Sequence, residues 1–377
     1  MDVIFIILFI FLLNTFFIRS IAVGTRIHST GYLWLLFSVH FLLTIAYMLY
    51  TVDNRSDSVS YFTTSNNTSD WLSFFETGTK FVGFLAWPFI NVLGLSYYAV
   101  MLLFSYLGFV AIVLFYLIAV ENISLDPVFN GLSPIELLFL LPNLHFWTSS
   151  LGKGSTILFG VGLFSYGLSR FNKRITPMVL GGFVMYMLRP HILLAYVVAI
   201  IIALFTSNIG LKPIYKWMIL VVAFVAFFYV SGSVLQFTDS DSLDITQSEN
   251  LMHRTSELSH ATSGVDLQNY NILFKLFTFW FRPLFLDQLG VMGFIVSFEN
   301  AVYLFLFFLV VRMLIRNWDA YNGFFRVSLF MFLIASIILA QVSGNLGIAL
   351  RQKTQIMPFL FLLYCKSLTL RPILSRR

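Results

Sequence analysis

Apolar residues run almost unbroken over 3–18, 32–50, 97–120, 217–231, 293–311, 324–342 and 355–368. Each run is near the length a helix needs to cross the ~30 Å hydrocarbon core of a bilayer. Shorter apolar runs lie near 81–95, 135–149, 155–168, 177–188, 191–205 and 272–286. Their length fits half-spans, re-entrant hairpins or helices lying in the membrane interface. Two polar stretches, 51–80 and 232–271, interrupt the pattern, and no internal repeat and no soluble domain is visible. The pattern predicts an all-α, polytopic transmembrane bundle of about 10–13 segments. Residues 1–377 form a single integral membrane domain in this reading, with 51–80 and 232–271 as outer loops.

Composition agrees with the pattern. The chain is 59% hydrophobic and 11% charged, with mean hydropathy +0.86, which excludes a soluble protein with a large core. The 44 phenylalanines suit lipid contact and signal no cofactor. The one cysteine, Cys365, excludes an internal disulfide and a cysteine-built metal site. The net charge of +6 sets orientation in such a protein and is no sign of nucleic-acid binding. The first apolar run follows Asp2, has no basic region before it and no clear small-residue cleavage site after it, so it reads as a retained span.

Lysine and arginine fix a threading. Arg19 and Arg26; Arg170, Lys173 and Arg174; Lys212 and Lys216; Arg312, Arg316 and Arg326; and Arg371, Arg376 and Arg377 mark cytoplasmic segments. The acid-leaning stretches are expected outside: Asp53, Asp57, Asp70 and Glu76 in one, Asp239, Asp241, Asp244, Glu249, Glu257 and Asp266 in the other. The N-terminus is then outside and the C-terminus inside. Residues 135–168 go out and back, turning at "SLGKGS" (150–155), and 177–205 go out and back, turning at "RPH". A single span over 177–205 would put the basic loops 169–176 and 206–216 on opposite sides. Glu121 and Asp126 fall on a cytoplasmic loop and fit this threading least well.

The threading gathers the remaining unusual charges at the outer face. Lys153 sits on a glycine-flanked turn, Arg189 and His191 flank Pro190, Arg282 lies in "FWFRPLF", and Arg351 and Lys353 lie between the last two spans. Ionisable residues at membrane depth are costly unless paired or facing a cavity, which makes them candidates for function. Lys153, Arg189, Arg282 and Arg351 together imply an anion, and a membrane-embedded anion of this kind is a lipid phosphate or pyrophosphate. Asp57 and Tyr61, four apart, would share a helix face and suit a sugar hydroxyl or general-base work on one. His191 is a second candidate base. Glu299 is a further carboxylate candidate and an equally good partner for Arg282.

Each residue also has a plainer reading. Lys153 suits a snorkelling interfacial lysine, and Arg282 suits an interfacial anchor beside Trp280 and Phe281. His191 suits a packing histidine, and Ser56 or Asp57 suits a helix N-cap. No spacing of histidines and acids favours a metal site. "GKGS" (152–155) lacks the glycine spacing of a phosphate-binding loop. A lipid-linked donor therefore fits better than a sugar nucleotide.

"DSVSYF" (57–62), "LPNLHFWTSSLGKGS" (141–155), "LRPH" (188–191), "FRPLF" with "SFEN" (281–285 and 297–300) and "GNLGIALRQKTQIMP" (344–358) resemble elements of the bacterial polysaccharide polymerases of the Wzy and EpsG-like type. The resemblance runs from about residue 57 to 358. It implies a metal-independent membrane glycosyltransferase without a cofactor, in the cytoplasmic membrane of a bacterium, polymerising O-antigen or exopolysaccharide repeat units carried on undecaprenyl pyrophosphate. Implied partners are the polyprenyl-pyrophosphate-linked glycan, membrane lipid, a chain-length regulator and a flippase, and no nucleic acid. It implies pyrophosphate contacts from Lys153, Arg189, Arg282 and Arg351, catalytic roles among His191, Asp57 and Glu299, and glycan contacts from Tyr61 and Trp147. A transferase using a polyprenyl-phosphate sugar, a glycan ligase and a lipid-linked glycan flippase are the competing expectations.

Overall fold

The computed structural model describes residues 1–24, 30–54, 56–123, 129–207, 270–285, 287, 290–341, 343 and 345–374, with scattered residues between 214 and 227. Most of the expected span 217–231 and nearly all of the stretch 232–271 lie outside the described residues, as do Arg26, Arg55, Asp126, Lys212, Lys216, Arg376 and Arg377. The described residues form fifteen α-helices and no strand, so the all-α expectation holds. Five helices are long and apolar enough to cross a membrane: Asp2–Val23, Thr30–Asp53, Tyr97–Asn122, Gly293–Arg316 and Phe324–Gln341. The expected span 355–368 is apolar only over Met357–Leu370 and falls among the shorter helices. Contacts divide the chain into two compact units, Met1–Arg189 and Pro190–Arg377.

The first unit is built on α5 (Tyr97–Asn122), which is apolar and buried on nearly every side from Ala99 to Ala119. A helix hydrophobic all round belongs in the middle of a bundle. By contrast α1 (Asp2–Gly24) buries one stripe, Ile6, Ile10, Asn14, Ile18 and Ile21, and exposes Ile4, Phe5, Leu8, Leu12 and Phe16, as a lipid-facing helix would. The second span, α2 (Thr30–Asp53), leads into α3 (Asp57–Asn66) and α4 (Lys80–Trp87), which continues as a π turn over Pro88–Val92. This excursion does not cross: Ser58 Oγ lies 2.6 Å from the Tyr97 hydroxyl, so it leaves α2 and enters α5 at one end of the unit.

Residues 135–149 are not one half-span. Pro134 and Pro142 each open a new short helix, α6 (Pro134–Phe139) and α7 (Pro142–Phe146), because proline lacks an N–H and fits only the first turn. After the turn at 147–152, α8 (Lys153–Ser169) runs back along α5, and α9 (Ile175–Leu188) returns along α8. Glycines let the backbones close up: a Cβ on Gly181 would overlap the Gly160 carbonyl oxygen, and one on Gly160 would sit 2.9 Å from Val184 Cγ1. The chain breaks at Arg189, where the expected turn lies, and α10 (Pro190–Thr206) opens the second unit.

In the second unit α10 packs on α13 (Phe324–Gln341), which also meets α11 (Ile272–Phe281), α14 (Leu346–Lys353) and α15 (Met357–Leu374). The long α12 (Gly290–Arg316) buries Tyr303, Leu306, Val310 and Met313 at helical spacing and exposes Phe294, Phe298, Phe305 and Phe308. Trp280 ties α11 to α13, donating its Nε1–H to Ser336 Oγ at 2.7 Å and stacking on Phe332 at 5.3 Å.

Candidate functional site

Within the first unit the predicted residues share one end. Ser56 caps α3, accepting from Ser58 N at 3.3 Å, and Asp57 follows as an exposed first-turn acid with Tyr61 half-buried one turn on. The plainer reading of Asp57 is thus visible: a carboxylate in the first turn complements the helix dipole. Around the start of α3 a chain of hydroxyls links Tyr47 to Ser56 (3.1 Å), Ser56 to Ser58 (2.7 Å) and Ser58 to Tyr97 (2.6 Å). Trp147 lies beside it, 6.3 Å from the Tyr47 ring, with Phe146 at 5.1 Å. Six residues beyond Trp147 in the chain, Lys153 opens α8, half-buried.

Arg189 reaches the same end by another route. Gly78, in the excursion between α3 and α4, donates its N–H to the Met187 carbonyl at 2.6 Å, two residues before Arg189. Phe81 and Phe183 meet at 5.9 Å on the same helices. The far end of the unit carries the basic loop after α8. There Arg174 forks onto Glu121 at 2.8 and 2.6 Å, and Arg170 Nε reaches the same carboxylate at 3.3 Å. Glu121, the acid that fitted the threading least well, is the partner of the cations on its own side.

The second unit gathers a different set around Lys353. Its side chain is fully buried at the end of α14, and its ammonium donates to Asn300 Oδ1 at 2.7 Å and to the Trp280 and Arg282 carbonyls at 3.2 Å each. An ammonium has three N–H bonds, and three acceptors use them. Burial pulls this group down to about 7, while Glu299 pulls in the opposite direction. Asn300 also donates to the Pro283 carbonyl at 2.7 Å, so α11, α12 and α14 are joined at one knot.

Arg282 ends α11, and its partner is Asp287, not Glu299: Nε reaches Oδ1 at 3.1 Å, and Asp287 Oδ2 also accepts from Leu284 N at 2.6 Å. Burial pushes the Asp287 carboxyl up, but the Arg282 and Leu284 bonds outweigh it and hold it below the usual carboxylate range. Glu299 is buried and accepts from the Tyr303 hydroxyl at 3.0 Å. Arg351 is half-buried two residues before Lys353. His191 is the second residue of α10, half-buried, five residues before Tyr196, whose ring meets Phe359 at 6.0 Å near the start of α15.

Among the described residues no cluster of three or more histidines, cysteines or acids could hold a metal. No protein-family model matches the chain, and no curated protein or solved structure does. The sequence did not single out Lys353 as a hub, Asp287 as a partner or the hydroxyl chain. For Lys353 a signal existed: on an eight-residue helix, positions 351 and 353 point about 200° apart at ~100° per residue, so one of two neighbouring cations faces inward.

Proposed function

We propose that this protein is a membrane glycosyltransferase that polymerises polyprenyl-pyrophosphate-linked repeat units at the outer face of a bacterial cytoplasmic membrane. One observation carries the reading: Asp57, Tyr61, Trp147, Lys153 and Arg189 fall at one end of the first unit, opposite the Arg170, Arg174 and Glu121 cluster. Three separate stretches of sequence bring to that end two cations, a carboxylate and aromatic rings, which is what a phosphorylated glycan carrier requires.

The chemistry follows from those groups. An acceptor sugar hydroxyl attacks the anomeric carbon of the donor, a new C–O bond forms, and the bond to pyrophosphate breaks with its electron pair on the leaving oxygen. Lys153 and Arg189 stabilise the charge that develops there, as preorganised donors do in a water-poor site. Asp57 accepts the proton of the attacking hydroxyl. Tyr61, Trp147 and the hydroxyl chain from Tyr47 to Tyr97 bind sugar. Arg282, held by Asp287, and Arg351 are the further cations of the proposal, and His191 and Glu299 its further acid–base groups; all four lie in the second unit.

The test is single replacement of Lys153, Arg189, Arg282 and Arg351 by alanine, with expression checked, and the length of surface polysaccharide as readout. Collapse of the ladder to single units is expected for Lys153→Ala and Arg189→Ala. A normal ladder in both would overturn the reading. One added sugar in place of a ladder would mark a polyprenyl-phosphate sugar transferase, and lipid translocation without a new glycosidic bond would mark a flippase.

A further inference from the structure

Deep in the first unit, two histidines face each other. His40 lies midway along the spanning helix α2, His145 lies in α7, and both are buried. Their Nδ1 atoms are 3.0 Å apart. Each ring also uses its other nitrogen: His40 Nε2 lies 3.0 Å from the Ser105 carbonyl oxygen, and His145 Nε2 lies 2.7 Å from that of Phe139.

A proton count decides what these contacts mean. A carbonyl oxygen only accepts, so both Nε2 atoms must carry hydrogen. Two Nδ1 lone pairs at hydrogen-bond distance repel unless a proton lies between them. The three contacts therefore need three N–H protons, and two neutral imidazoles carry two. We propose that His40 and His145 form a proton-binding site, holding one extra proton between their Nδ1 atoms as an imidazole–imidazolium pair.

The surroundings leave the pair to itself. Thr44 Oγ1 donates to the His40 carbonyl at 2.8 Å and meets Ser105 Oγ at 2.6 Å, and Thr148 and Ser149 donate to the carbonyls of Leu144 and His145. The acids and cations of the packed elements are engaged elsewhere or lie at helix ends. Asp2 accepts from Ser96 N, Asp53 ends α2, Glu121 holds Arg170 and Arg174, and Glu136 accepts from Ser133 and Tyr116. Of the tyrosines on these elements, Tyr32 and Tyr116 are bound around Glu136, and Tyr47, Tyr50 and Tyr97 cluster near Ser56 and Phe146; Tyr106 lies one residue from Ser105. The extra charge is held by the two rings and two carbonyls. When the proton leaves, one of the three contacts must open, and two of them seat α7, which leads directly to Trp147. The inference does not depend on the proposed glycosyl transfer.

Nitrogen NMR on the unmodified, ¹⁵N-histidine-labelled protein in lipid bilayers tests it. The expected result at neutral pH is a through-space Nδ1–Nδ1 contact, two hydrogen-bearing Nε2 atoms and one further proton shared by the Nδ1 pair. Raising the pH should remove that proton and the contact together. Two neutral rings with one bare nitrogen each would overturn the proposal, and so would the absence of any Nδ1–Nδ1 contact.

Discussion

At the scale of single residues, the two neighbouring cations of α14 have different work. Lys353 satisfies Asn300 Oδ1 and two carbonyls in a dry knot. Lys353→Met should cost about 3 kcal/mol, because buried acceptors lose their donor, read as a lower unfolding temperature in detergent. Arg351→Ala should lower that temperature less than Lys353→Met does while shortening the polysaccharide, and an equal or larger stability loss would reassign Arg351 to the knot. The Arg282–Asp287 pair predicts a pH effect. The Asp287 carboxyl is lowered in the folded protein, so its contribution is full above the ordinary carboxylate pKa, about 4, and is lost as pH falls through the lowered value. The stability gap between the natural chain and Asp287→Asn should shrink on acidification below that point. A gap that stays constant would mean the pair does not set it.

At the scale of elements, short broken helices do what long spans cannot. A span buries its own backbone bonds and presents side chains sideways, whereas α7 and α14 end in the interior and bring loops and caps there. Gly108 of α5 shows how closely the turn after α7 approaches, since a Cβ there would overlap the Thr148 carbonyl oxygen. Gly108→Ala should therefore destabilise by about 1–3 kcal/mol as an overpacked contact and should perturb the His40–His145 pair, both measurable on one sample by thermal unfolding and histidine NMR. Wild-type stability in this variant would show that the turn after α7 sits further out. Pro142 breaks the run 135–149, which hydropathy alone presents as one segment. The seat of α7 against α2 was not readable in the sequence, because an apolar run with one histidine has no feature that names its neighbour.

At the scale of the molecule, the end assignments of the first unit can be read by labelling. Cys365 is buried, so the natural chain is a quiet background for introduced thiols. Cysteines replacing Asn67 and Lys153 should be modified from one side of the membrane and a cysteine replacing Lys173 from the other. Modification of positions 153 and 173 from the same side would undo the out-and-back path of 135–168.

Hydrophobic run length and the placement of lysine and arginine by themselves determined that the chain is helical and membrane-embedded, where five long apolar helices lie, and that the chain breaks just before Lys153 and at Arg189. These follow from constraints every residue of a run obeys together: backbone bonds closed within the segment and charge kept out of lipid. Only the tertiary structure decided which charges neutralise one another. Arg282 takes Asp287 where Glu299 was an equal candidate, Glu121 takes Arg174, and Lys353 is fully buried on Asn300 while Arg351 is half-buried. Pairing depends on a few ångströms between side chains distant in sequence, and hydropathy carries no information at that range.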